Sequence, residues 1–592
     1  VIYSYKMLEF AKEFHPLNLE HLEKQFTPTS DDLKHDYNPF QLNSFQYYQP
    51  VIKLLFDIKE HNHNSIQLNH KHHMVDLTTV VDTLAGKQVN KPIFIKYSPL
   101  LDPIRYMIGR YDAESDDIRT LPSVDGCKFE KLNSTNNASY SDGFFCLLSS
   151  KLLELHGFKH SIDYYGSFSA VQKKFKMNIA DDYEYLNNSN FFLDNVNKYF
   201  RINRHRVSSM MNQNSRDNRE KLKITDADEM IPDALNLDDI SYDLNEVSLD
   251  ALEEVYTHET GNKENGEDDT DDDTDDDDED DEDDEDDTDD DDEDEDEDDD
   301  DEDEDDDDDE DEDDDEEGGV RGVDTPADDD DDDDEGGVRG VDTPAEEETN
   351  IFAYIDNFPV QMICLEKCDG TLDDLFVDEE IDDETGASAL FQVVMTLIAY
   401  QTAFNFTHND LHTNNIMYVN TDVEFLYYKF NNVYYKVPTY GKIFKIIDFG
   451  RSIYKYKGKL FCSDSFATGG DAATQYNFEP YYNSKYPIIE PNYSFDLCRL
   501  GCSIFDFIID GKPVTELQKT VYRWCLDDKK TSILYKRNGA ERYPDFKLYK
   551  MIAKTVHDHT PQNQLSFPFF SQFATPVEVA DCMNLDKIPS YV

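Results

Sequence analysis

The chain has 592 residues, with 132 Asp or Glu against 54 Lys or Arg and a formal net charge of −78 at neutral pH. This length predicts roughly two to four domains at ~150 residues each, and the acidity argues against direct nucleic-acid binding, because phosphate backbones are held by clustered Lys and Arg. The charge is concentrated: 62 of the carboxylates lie between Glu264 and Glu348, opposed only by Arg321 and Arg339, so the rest of the chain is mildly acidic.

In chain order, the first six residues lack the basic start and apolar core of a signal peptide. His61, His63, His70, His72 and His73 cluster without ligand spacing on a shared helix face and read as surface histidines. Residues 91–96 read as a strand ending in Lys96. Residues 141–156 place Phe144, Phe145, Leu148, Leu152 and Leu155 at helical spacing, with Gly157 as the stop signal. A strand is expected at 160–168. The polar stretch 203–263 reads as loose, with a short helix at 247–256. Residues 267–317 are almost purely Asp and Glu, and 328–335 repeat the theme. Such a run repels itself and buries no apolar area to offset chain entropy, which predicts a disordered, extended segment. The unit Gly-Gly-Val-Arg-Gly-Val-Asp-Thr-Pro-Ala occurs at 318–327 and 336–345, a tandem duplication too short for a solenoid.

Downstream, residues 360–365 read as a strand, 370–375 open a helix, and 387–406 form a long apolar helix. Residues 418–436, rich in Tyr, Phe and Val around Asn431-Asn432, read as an extended hairpin that packs on its neighbours. A strand at 442–447 and an apolar helix at 502–509 follow. The longest nearly apolar run, 389–400, is shorter than the ~20 residues a spanning helix needs, so no membrane association is expected. Nine scattered cysteines, an odd number, read as reduced thiols of an intracellular protein; Cys364 and Cys368 lack the second pair that a zinc site needs.

Two stretches carry the chemistry: His408-Asn409-Asp410-Leu411-His412-Thr413-Asn414-Asn415 and Asp448-Phe449-Gly450. With Phe94-Ile95-Lys96-Tyr97, Asp163-Tyr164-Tyr165-Gly166, Cys364-Leu365-Glu366-Lys367-Cys368-Asp369-Gly370 and Ser494-Phe495-Asp496-Leu497-Cys498-Arg499-Leu500-Gly501, they make the chain resemble the eukaryotic-type protein kinase superfamily. It looks most like the serine/threonine kinase-like proteins of large nucleocytoplasmic DNA viruses. The resemblance covers roughly residues 40–200 and 350–575. It implies a two-lobed α+β fold: an N-terminal extension at 1–40, a β-rich small lobe at 41–202, an acidic insertion at 203–350, the last small-lobe strand and hinge at 351–368, and a mostly helical large lobe at 369–592. For a viral protein it implies the host cytoplasm or the virion.

The resemblance also assigns roles. Phosphoryl transfer asks a protein mainly for positioning and charge stabilisation. Asp410 is then the base that orients a substrate hydroxyl, and Asn415 and Asp448 are the magnesium ligands, hard oxygens that share the ion with the phosphates of ATP. Lys96 holds the α- and β-phosphates, with Glu154, the only glutamate on its helix, as the candidate partner. His408, Gly450 and Asp496 give structural support, Asp496 by accepting hydrogen bonds from the catalytic-loop backbone. Three departures stand out. Asn409 replaces an arginine that would receive an activation-loop phosphate. His412 replaces a lysine at the γ-phosphate, where it donates a hydrogen bond or, when protonated, supplies charge. The only glycine before Lys96 is Gly86, so the glycine-rich loop that lets backbone approach phosphates is missing. The expected activity is Mg-ATP-dependent transfer to Ser or Thr of a protein. The alternatives are a pseudokinase scaffold that binds basic proteins through the acidic segment, and a small-molecule kinase, which His412 also suits.

Overall fold

The computed structural model describes residues 7–180, 182–206, 349–544 and 546–592, all within the unit formed by residues 1–235 and 344–592. The acidic run, the two repeat units and the helix expected at 247–256 lie outside the described residues. The fold is mixed α+β.

The first part is an antiparallel sheet of five strands: β1 (Leu42–Gln46), β2 (Ile93–Pro99), β3 (Tyr164–Asn178), β4 (Phe200–Arg206) and β5 (Thr349–Glu366). Its order is β1-β3-β5-β2, and β4 pairs with β5 as well. The 18-residue β5 is the axis. Its C-terminal half pairs with β2, its N-terminal part with β4, and β3 runs along its other side. At the start of β3 the register shifts between Tyr164 and Gly166, and Gly166 has φ +132°, a bulge conformation that glycine adopts without strain. Strand β2 runs on to Pro99, so Lys96 sits mid-strand and not at a strand end.

Against this sheet lies α1 (Ala138–His156). It starts a turn earlier than the apolar spacing suggests because the Asn137 side chain accepts the Ser139 N–H, and it stops at Gly157 in the left-handed conformation. Residues 139–152 of α1 are buried, as expected for a helix covered on all sides. Gly143 makes the close approach possible: a Cβ there would lie 2.4 Å from Gln361 Nε2.

In the second part, α2 (Asp383–Phe404) is the central core helix. A capping box between Asp382 and Thr385 starts it, and left-handed Asn405 ends it two residues short of the expected end. By length and composition it is the one helix among the described residues that qualifies to cross a membrane, and it is buried inside the fold. Strand β6 (Ile416–Asn420) pairs with β9 (Lys442–Ile446). Between them the expected hairpin forms from β7 (Phe425–Phe430) and β8 (Val433–Pro438), turning through Asn431 and Asn432 at φ +48° and +61°, the two left-handed residues of a tight hairpin turn. Helix α3 (Phe495–Ile508) begins seven residues before the apolar run at 502–509, and α4 (Lys547–Thr555) packs against it.

The histidine reading is corrected in part. His61 is exposed, but His70, His72 and His73 are buried. They lie on or beside a small three-stranded sheet built from His72–Met74, Thr79–Asp82 and Lys87–Asn90. His72 Nδ1 meets Asp163 at 2.9 Å, while the rings of His70 and His73 stack 3.8 Å apart. Their burial depends on contacts with distant segments that local periodicity does not encode.

Candidate active site

Lys96 is where the two parts meet. Its Nζ lies 2.8 Å from Asp142 Oδ2 and 2.7 Å from Asp448 Oδ1. The expected partner, Glu154, is wrong: its carboxylate takes Lys151 Nζ and the Lys71 N–H, each at 2.6 Å. Twelve residues of helix separate Glu154 from Asp142, about 18 Å along the axis. Asp142 reaches Lys96, despite its shorter side chain, because the adjacent Gly143 lets α1 lie close to β5. The other oxygen of Asp142 accepts the Phe449 N–H at 3.0 Å, so one carboxylate ties β2 to the Asp-Phe-Gly turn.

The electrostatics of this triad are unequal. Burial opposes the charge on Lys96, but Asp142 and Asp448 together raise its pKa. Burial raises the Asp142 pKa beyond what Lys96 offsets, and the neighbouring Asp448 adds to the rise. Burial also acts on Asp448, but the Lys96 charge prevails and lowers its pKa. Asp448 is therefore the more readily charged of the two carboxylates. It sits in the left-handed region, φ +62°, with the Gly450 N–H 3.4 Å from its Oδ1 and the Phe449 ring buried against Phe145 and His408.

The loop at 408–415 is held by Asp496. This fully buried carboxylate accepts the His408 N–H at 2.9 Å and the Asn409 N–H at 2.8 Å. Burial raises its pKa, opposed by His408 and these two N–H groups. His408 Nε2 donates to the Ile447 carbonyl at 2.9 Å, so its Nδ1 is the acceptor for the Asp410 N–H at 3.3 Å. Asn409 takes the left-handed conformation at φ +65°, which Asn tolerates. Its Nδ2 donates to the Arg451 carbonyl, and its Oδ1 accepts the Tyr476 hydroxyl. Asn409 thus knits the loop to the segment after Asp-Phe-Gly.

Asp410 carries a lowered pKa: burial works against its charge, but the Arg451 guanidinium outweighs it, with Arg499 and the Tyr549 hydroxyl adding to the effect. Tyr549 donates to Oδ1 at 2.7 Å, and Arg451 Nη1 stands 3.3 Å from Oδ2. Burial, reinforced by Arg499, holds the His412 pKa down to about 4, so His412 is neutral at pH 7 and supplies no positive charge. Its Nε2 accepts from Asn415 Nδ2 at 3.0 Å. The same amide donates to the Asp410 carbonyl at 2.9 Å, so the Asn415 amide oxygen takes no part in either of these bonds. The Ile447 N–H donates to the Asn415 carbonyl at 3.0 Å, setting Asn415 beside the strand that leads to Asp448.

No protein-family model and no curated protein matches this chain.

Among the described residues no group of three His, Cys, Asp or Glu side chains is arranged to hold a metal. Asp448 and the Asn415 side-chain oxygen are hard oxygen donors of the kind magnesium takes when phosphates and water complete its shell. Lys96, Asp410, Asn415, Asp448 and Asp496 thus fall in one connected region, with Asp142, Arg451, Arg499 and Tyr549 added. Of the additions, only Asp142 had a local signal, an acid next to a glycine on a buried helix. The edge of β2 away from β5 carries no strand among the described residues, and Phe94 on it is half exposed.

Proposed function

We propose that the protein is a Mg-ATP-dependent phosphotransferase with a two-lobed, protein-kinase-like fold, acting on Ser or Thr hydroxyls of a protein. The observation that carries this reading is the convergence of Lys96, from the sheet, with Asp142 and Asp448. A lysine held at the end of its reach by two carboxylates is poised to take phosphate oxygens as additional partners. A magnesium ion held by Asp448 and Asn415 would neutralise charge on the phosphates. Asp410 orients the acceptor hydroxyl and receives its proton as the oxygen bonds to the γ-phosphorus; ADP leaves with the electrons of the broken β–γ bond. His412, neutral at pH 7, has no part in charge stabilisation, and Arg451 and Arg499 are the cations near Asp410.

Release of phosphate from ATP, or autophosphorylation, tests the proposal. Wild type is expected to turn over, and Asp448→Asn to lose about a hundredfold or more, as removal of a principal charge-stabilising group does. Equal rates for the two proteins would sink the enzyme reading. The density of carboxylates between Glu264 and Glu348 favours a second reading, a pseudokinase scaffold that binds basic partners through the acidic segment; wild-type protein that holds a basic peptide but neither binds nor turns over ATP would favour it over the first.

A further inference from the structure

Asp410 is gripped by a helix far along the chain. Tyr549, on α4, donates its hydroxyl hydrogen to Asp410 Oδ1 at 2.7 Å. The same hydroxyl oxygen receives Arg499 Nε–H at 2.8 Å. Arg499 lies on α3 one turn beyond Asp496, is buried, and holds its guanidinium 5.1 Å from the Tyr549 ring centre. Arg499 Nη1 is buried and has no hydrogen-bond partner among the described residues; the Nε bond to Tyr549 orients the guanidinium.

The donor inventory fixes the polarity of this chain of bonds. A guanidinium only donates, so the Tyr549 oxygen serves Arg499 as acceptor and its single hydrogen is sent to Asp410. Oδ1 is thereby committed as an acceptor. Oδ2 faces Arg451 across a longer 3.3 Å contact, while Arg451 keeps its shorter bonds to Asp471, 2.7 Å from Nη2 and 3.1 Å from Nε. The Asp410 side chain retains 24 % exposure, so its carboxylate is reachable from solvent.

We propose that Tyr549, held by Arg499, is a positioning residue that locks the Asp410 carboxylate with Oδ2 presented to the acceptor hydroxyl. The inference rests on the reading of Asp410 as the proton acceptor. Tyr549 and Arg499 touch neither Lys96 nor Asp448, so their effect belongs to the transfer step and not to ATP binding.

The test is Mg-ATP turnover by the full chain with water as acceptor, comparing wild type, Tyr549→Phe, Asp410→Asn and the double variant. Tyr549→Phe is expected to lower kcat about tenfold to a hundredfold, the cost of misplacing a catalytic group by about an ångström, with KM for ATP within about twofold of wild type. In the Asp410→Asn background the same change is expected to cost nothing further, since no base remains to be positioned. Arg499→Lys, which keeps a cation but loses the Nε donor, is expected to lower kcat in the same direction and stands in if Tyr549→Phe does not fold. Wild-type kcat in Tyr549→Phe beside a crippled Asp410→Asn overturns the positioning role alone, as does an equal further loss in the double variant. Wild-type kcat in Asp410→Asn overturns the underlying reading, and the positioning role with it.

Discussion

Lys96 divides one positive charge between two carboxylates, the buried Asp142 and the partly exposed Asp448, that differ in their partners. Asp142, whose pKa burial pushes up, also holds the Phe449 N–H; Asp448, whose pKa Lys96 pulls down, is the more readily charged of the two. Asp142→Asn should therefore disturb both the lysine and the Asp-Phe-Gly turn. The expected outcome is a fall of about tenfold or more in kcat/KM for ATP, measured by ATP turnover. Glu154→Gln, at the far end of α1 and bonded to Lys151, is expected to stay within about twofold of wild type. The reverse ranking would restore Glu154 as the partner. Asp410 and Asn415 share one short motif and Asp448 lies in a second, so local sequence singled them out; the pairing of Asp142 with Lys96 was not legible, since the two lie 46 residues apart and only packing brings them together.

The hairpin of β7 and β8 shows how an element becomes part of the core. His160, fully buried just after α1, donates from Nδ1 to the Phe444 carbonyl on β9 and accepts at Nε2 from the Tyr428 hydroxyl on β7, at 2.8 and 2.7 Å. That bonding fixes the neutral form, and burial pulls its pKa down to about 3. The unfolded chain, with a histidine pKa near 6.5, binds more protons than the native state between pH 6.5 and about 3. Stability therefore rises with pH across that window and is lost as pH falls through it. Urea unfolding at pH 7 and pH 5 is expected to show a smaller drop in midpoint for His160→Gln than for wild type, because glutamine offers a donor and an acceptor without titrating. An identical drop in both would remove His160 as a source. The hairpin itself was legible from Asn431-Asn432 at its turn; its attachment to α1 through His160 was not.

Across the molecule, β4 and β5 are antiparallel neighbours, and Arg206 lies directly opposite Thr349 in their register. The chain thus leaves and re-enters the sheet at adjacent points, and closure entropy rises by only ~0.6 kcal/mol for each doubling of the intervening length. Excising residues 207–348 and joining the strands by a two-residue Asn-Gly turn is expected to keep ATP turnover within about twofold and to leave the melting temperature equal or higher. The same deletion is expected to abolish salt-sensitive binding of a basic peptide, since it removes most of the negative charge. Loss of folding would show that the segment contributes to the fold, and unchanged peptide binding would exclude it as a docking site.

The sequence by itself determined the mixed α+β class, the core helices at their centres, the turn at Asn431-Asn432 and the loop that carries Asp410 and Asn415. These are local: spacing, caps and short motifs act within a few residues along the chain. Only the tertiary structure decided that Asp142 pairs with Lys96, that the histidines at 70, 72 and 73 are buried, and that Tyr549 and Arg499 reach Asp410. Each depends on close packing between segments far apart in the chain, where a single glycine or a helix one turn longer changes which side chains can touch.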